Sequence, residues 1–120
     1  MKRLNLRPDV AQTITNFGST GVSSVKCASG SGEGHVYNLY FEAGGQIGRH
    51  PAGPAQVFLA VEGSGWVEGE DGVRREVRTG EAAYIAPGEM HAKGSETGMT
   101  AIMIQLDRFD IAAPERPFED

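Results

Sequence analysis

"RHPAGPAQVFLAVEG" (residues 49–63) sets one histidine and one glutamine against an apolar run that ends at a glycine. In an extended chain, alternate side chains point to opposite faces. Gln56, Phe58 and Ala60 then share one face, and Val57, Leu59 and Val61 the other. The stretch MTAIMIQL (99–106) repeats the pattern, with Ala101, Met103 and Gln105 on one face and Ile102, Ile104 and Leu106 on the other. In each strand one face is wholly apolar and belongs in a core or an interface. The other is mixed and suits the lining of a cavity. Two-sided burial in so short a chain points to a homodimer, since apolar area hidden against a second copy stabilises at about 25 cal/mol per Å².

The rest of the chain is punctuated in the same style. Its 17 glycines form no repeat but fall in clusters such as SGSGEG (29–34), GSG (63–65) and GEDG (69–72). Between the clusters lie short segments rich in β-branched, aromatic and apolar residues: VSSVKCA (22–28), HVYNLYFEA (35–43), QVFLAVE (56–62), GWVEGE (65–70), VRREVR (73–78) and AAYIAP (82–87). Many short strands separated by Gly- and Pro-rich turns predict an all-β sandwich or barrel. GEDG reads as a hairpin turn in which Asp71 and Gly72 adopt positive φ. A short helical turn is expected only within residues 6–16, after Pro8. The tail DIAAPERPFED reads as irregular, or as an arm on a partner subunit.

Composition narrows the function classes. Eleven basic side chains against 16 acidic ones leave a net charge of −5. That sign disfavours nucleic acid or an anionic membrane as partner, because both repel the chain at long range. MKRLNLRPDV leads into no apolar segment of the signal-peptide kind, and no apolar run is long enough to span a bilayer. The single cysteine, Cys27, reads as a small buried hydrophobe, and a reducing cytoplasm is the expected compartment.

Two half-motifs then stand out. Residues 45–63 read GQIGRHPAGPAQVFLAVEG, and residues 80–95 read GEAAYIAPGEMHAKGS. Together they resemble the paired motifs of the cupin superfamily. The first family motif carries H-x-H, a glutamate and a closing glycine; the second carries a glycine, P-x-G, a histidine and usually an asparagine. His50 falls on the first histidine, Gln56 on the glutamate, and Gly63 on the closing glycine. Gly80, Gly88 and His91 match the second motif in register. Ala52 stands where the second histidine would be, Ala86 replaces the motif proline with Pro87 one place later, and Ser95 replaces the asparagine. Residues 79–104 are also similar to a group of small bacterial cupins that includes manganese-dependent hydroxynitrile lyases. Those relatives use glutamine at the position of Gln56 but keep all three histidines, and they carry a further histidine where this chain has Ala101.

The resemblance implies a single-domain jelly-roll β-barrel over residues 20–108, flanked by an N-terminal arm (1–19) and a C-terminal tail (109–120). It also implies a cavity in which His50, Gln56 and His91 could hold a divalent Mn, Fe, Ni or Zn ion with waters completing the shell. With no donor at Ala52 and no anionic ligand, such a site holds metal weakly. Without an ion, His50 and His91 are hydrogen-bonded pocket histidines, or a general acid/base pair. Phe58, Ala60, Ala101 and Met103 would supply an apolar lining. Lys93 shares the face of His91, either as a partner for an anion or carbonyl inside the barrel or, the default for a lysine, as a rim residue reaching water. Arg49 is expected at the barrel mouth, Trp66 in the core or a dimer contact, and His35 in a loop; Tyr37 and Tyr40 lie on opposite faces of one strand. The expected function is binding of a small organic ligand in the barrel, with or without a metal. The alternatives are a metal-dependent dioxygenase or lyase, and a metal-free isomerase.

Overall fold

The computed structural model describes residues 1–118. Ten strands follow one another: β1 (Lys2–Asn5), β2 (Gln12–Thr13), β3 (Ser23–Ser24), β4 (Ala28–Phe41), β5 (Gln46–Pro51), β6 (Ala55–Glu68), β7 (Arg74–Arg78), β8 (Glu81–Ile85), β9 (Met90–Gly94) and β10 (Met99–Ile111). Eight of them form one antiparallel sheet that folds back on itself as a jelly-roll barrel, and β2 and β3 pair separately. Short 3-10 turns at Pro8–Val10 and Asn16–Gly18 complete the N-terminal segment. No helix among the described residues is long and apolar enough to cross a membrane.

Strand β6 joins the two layers. Its first half, Gln56 to Leu59, pairs with β8, and Ala55 to Gly63 pairs with β10. Its second half pairs with β7 through Ser64–Glu68 and with β9 through Trp66–Glu68. The expected break at GSG (63–65) is therefore not a break between strands. Gly63 carries φ +83°, and a Cβ there would stand 2.6 Å from the carbonyl oxygen of Gly98. Glycine lets the strand bend from one layer into the other without leaving the ladder.

The same correction applies to SGSGEG. Expected as a turn, it lies inside β4, which runs 14 residues along β10. The glycines make room for a side chain of the partner strand. A Cβ on Gly30 would fall on Leu106 Cδ1 and 2.9 Å from the Arg108 carbonyl oxygen, and one on Gly34 would meet Leu106 Cδ2 at 2.5 Å. Gly32, at φ +92°, sits where the β4–β10 register slips between Leu106 and Arg108. His35 is accordingly a strand residue opposite Gln105, not a loop residue. The GEDG turn forms, with Gly72 N–H donating to the Gly69 carbonyl at 3.0 Å, but only Gly72 has positive φ. Asp71 instead accepts the Val73 N–H at 3.0 Å, an Asx-type turn that needs no left-handed residue.

Alternation along β6 separates two cores. Phe58 and Ala60 point into the barrel with Val67, Val77, Ala83, Met99 and Ala101. Val57 points outward and is buried with Leu4, Ala82 and Ala113 beneath the chain's own Val25 and Cys27. Burial raises the Cys27 thiol above its ordinary pKa. Trp66 is buried under the guanidinium of Arg74, whose carbon lies 3.7 Å from the ring centroid.

The glycine reading makes a stability prediction. Gly30→Ala should cost about 1–3 kcal/mol in urea unfolding, because the new methyl overpacks against Leu106 and a backbone oxygen. Gly48→Ala, where a Cβ meets nothing within 4 Å, should change stability by no more than about 0.5 kcal/mol.

Candidate functional site

Three strands bring the chemistry together. His50 on β5 and His91 on β9 are register partners, so both rings leave the same face. Their centroids are 4.5 Å apart with the planes at 53°. The β5 register slips between Ile47 and His50, a bulge that re-aims the His50 ring. Lys93 follows His91 by two residues in β9 and shares its face. Gln56 comes from β6 in the facing layer. His50 is exposed at the rim, His91 is fully buried beneath it, and Lys93 and Gln56 are 1% and 3% exposed.

Hydrogen bonds orient these groups. Nδ1 of His91 lies 3.1 Å from the Glu89 carbonyl oxygen, and Nδ1 of His50 lies 2.6 Å from that of Gly48. A carbonyl only accepts, so both Nδ1 atoms carry the proton. In the neutral rings both Nε2 atoms keep a bare lone pair. The Lys93 ammonium occupies the middle of the cluster. It donates to Gln56 Oε1 at 2.6 Å and lies 3.4 Å from His91 Nε2. Its nitrogen also stands 5.4 Å from the Phe58 ring centroid, within cation–π range.

The rim-lysine expectation for Lys93 is thus corrected. Its side chain runs inward and is 1% exposed, and its charge is met by an amide oxygen, an imidazole lone pair and a π face. No carboxylate among the described residues pairs with it. A buried ammonium held only by neutral groups is unstable relative to its solvated form. Burial accordingly lowers its pKa to about 8. Burial also lowers that of His91, opposed by the bond to Glu89 and helped by the charges of Lys93 and His50.

The remaining expected residues fall outside this cluster. Ala52 is buried and offers only a methyl group. Ala60 and Ala101 belong to the packed interior core, and Met103 is 9% exposed opposite Phe58. Tyr37 and Tyr40 are both exposed. Arg49 spends its guanidinium on the carbonyls of Gly69 and Glu70 at 2.9 and 3.0 Å and on Glu68 at 3.4 Å. A hollow elsewhere, of about 660 Å³, is lined by Arg3, Arg74, Arg78, Arg116 and Phe118 among others. Its arginines are engaged too: Arg3 by the carbonyls of Glu76, Arg116 and Pro117, Arg78 by Glu76, and Arg116 by Glu81.

The donor set does not fit a metal as it stands. Among the described residues no three His, Cys, Asp or Glu side chains converge on one point. His50, Gln56 and His91 remain, and Lys93 already engages the last two.

The depressed Lys93 pKa has a testable consequence. Unfolded, a lysine titrates near 10.5; folded, this one titrates near 8. Below pH 8 both states are protonated and the burial penalty is in full force. Between pH 8 and 10.5 the unfolded chain binds the extra proton, so stability rises with pH. Measured against Lys93→Met, wild-type stability should gain up to roughly 3 kcal/mol between pH 7 and pH 10.5. Denaturant unfolding at each pH checks the slope.

Comparison with known proteins agrees with this architecture. No family model matches the chain. Among curated proteins, the (R)-mandelonitrile lyase of Granulicella tundricola is 33% identical over 75 residues, which cover 61% of this chain and 56% of the lyase. The match thus spans little more than half the length of that relative. Among solved structures, an RmlC-like cupin from Shewanella frigidimarina superposes with a TM-score of 0.58 at 25% identity, covering 63% of this chain and 68% of the other. Salicylate 1,2-dioxygenase from Pseudoaminobacter salicylatoxidans shares the fold alone, with a TM-score of 0.55 at 18% identity over 65% of this chain and 24% of the enzyme. With both half-motifs in place on an antiparallel jelly roll and these neighbours around it, the chain has the cupin fold and is similar to members of the cupin superfamily.

Proposed function

We propose that this cupin binds a small organic molecule at the barrel mouth through a carboxylate or carbonyl oxygen. One observation carries the reading: a buried ammonium, Lys93, with no anionic partner among the described residues. A ligand oxygen entering past the exposed His50 ring would give that charge a counterpart in a low-dielectric setting, where the interaction is strong. The bare Nε2 of His50 would accept a hydroxyl or protonated carboxyl on the same ligand. Pockets with a few convergent polar groups over an apolar floor, here Phe58, are the usual form of such sites.

A metal-free isomerase is the second reading, and it has its own support. His91 is a buried neutral imidazole beside an ammonium, a base and an acid within reach of one substrate. The metal-dependent dioxygenase and lyase readings have less, because their ligands are ones that Lys93 already engages. Benzoate, pyruvate, benzaldehyde and acetophenone form a suitable probe set for thermal shift. At a ligand excess of about 100 Kd, one-site binding stabilises by about 2.7 kcal/mol, a shift of several degrees. At least one probe should produce it in wild type and lose it in Lys93→Met and in the His50→Ala/His91→Ala double variant. A shift that persists equally in the double variant places the ligand elsewhere.

We also infer that a second copy covers the outer face of β4 and β10. Among the described residues β4 pairs with β10 only, leaving the other edge of this 14-residue strand open. Val36, Tyr40 and Val61 are 69%, 77% and 45% exposed, beside the half-buried Leu59, Ile102 and Ile104. No charged side chain interrupts β4 between Val36 and Tyr40, so two copies meeting edge to edge about a two-fold axis face no like-charge repulsion there. Sedimentation equilibrium at micromolar concentration should give a dimer, and Val36→Lys/Tyr40→Lys a folded monomer. Monomeric wild type rules the dimer out.

A further inference from the structure

We infer that Lys93 is the resident cation of this cupin site: its ammonium takes the coordination that a divalent ion shared by His50, Gln56 and His91 would need, and the site works without a metal. The argument rests on donor atoms. The Nε2 of His91 has one lone pair, because Nδ1 carries the proton that the Glu89 carbonyl accepts. That lone pair lies 3.4 Å from the Lys93 ammonium. It can serve the ammonium or a metal, not both. Gln56 Oε1 keeps a second lone pair, but the ammonium stands only 2.6 Å away, so an ion bound there would lie close beside a positive charge.

Geometry removes the alternative of coexistence. A transition metal sits about 2.0–2.2 Å from an oxygen or nitrogen ligand. A metal on Gln56 Oε1 would therefore lie no farther than about 5 Å from the lysine nitrogen, the sum of that bond and the 2.6 Å contact. Two cations at that separation, in a buried site with no carboxylate among the described residues converging on it, repel strongly. The neighbouring position offers no help, since Ala52 is a buried methyl. The three groups around the ammonium are neutral donors of the kind that suit a single positive charge: an amide oxygen, an imidazole nitrogen and the Phe58 ring. The donors also number too few for a dication: with Ala52 offering no donor, only His50, Gln56 and His91 remain, and the ammonium already engages two of them.

Metal content is the test. Wild-type protein, expressed in medium supplemented with Mn, Fe, Ni and Zn and purified without chelator, should carry less than about one metal per ten chains by elemental analysis. Calorimetric titration with Zn should show no site that depends on His91. Lys93→Ala frees both lone pairs and opens room for the ion, so Zn should bind roughly 10–100-fold more tightly than to wild type. Adding His91→Ala should abolish the gain. Lys93→Met, which keeps the stem and removes only the charge, is the second variant and should gain affinity in the same direction. Wild type carrying close to one metal per chain, lost on His50→Ala or His91→Ala, would overturn the inference; so would equal Zn affinity in wild type and both Lys93 variants. The wild-type measurement decides even if the variants fail to fold. No organic ligand enters this test, so an unsuccessful ligand screen and an unsuccessful metal result remain distinguishable.

Discussion

The hydrogen bond from the Lys93 ammonium to Gln56 Oε1 spans the interior from one layer of the barrel to the other. Lys93 stands on β9 and Gln56 on the first half of β6, and these segments belong to facing parts of the same sheet. A positive charge in that place needs its surroundings settled in advance. The Glu89 and Gly48 carbonyls set the tautomers of two imidazoles. His91 Nε2 lies 3.4 Å from the ammonium, and the Phe58 ring centroid lies 5.4 Å from it. Each of these arrangements would be pointless around a lysine that reached water, and each lowers the cost of keeping the cation inside.

Charge bookkeeping relates the site to its superfamily. The cupin resemblance expects a dication beside one carboxylate, a net of one positive charge. Here an ammonium stands beside a neutral amide, and the net is the same. Two features then set this site apart from the metal-binding motif: the missing donor at Ala52 and a buried lysine two residues after His91. On the proposed reading, ligand binding and acid–base chemistry would both start where a carbonyl or carboxylate meets the Lys93 ammonium beside His91.

The glycines divide what local reading can and cannot recover. GEDG and the positive-φ Gly72 behave as a turn, because two short antiparallel strands need one there. SGSGEG and GSG have the same composition but lie within 14-residue strands. In those segments glycine is required by a neighbour distant in sequence: Leu106 against Gly30 and Gly34, and the Gly98 carbonyl against Gly63. A turn glycine and a close-approach glycine look alike until the partner strand is in place.

Sequence alone was enough for the all-β class, through alternation and turn composition, and its resemblance to the cupin motifs implied the jelly roll. It also carried the fact that Lys93 shares a face with His91, because strand periodicity is two. Tertiary structure decided the rest: that Lys93 turns inward, that Gln56 meets it from the opposite layer, and that Arg49 is consumed by backbone carbonyls of the β6–β7 turn. Burial and hydrogen-bond partnership depend on which distant segments pack together, and a side chain's own neighbours in sequence do not encode them.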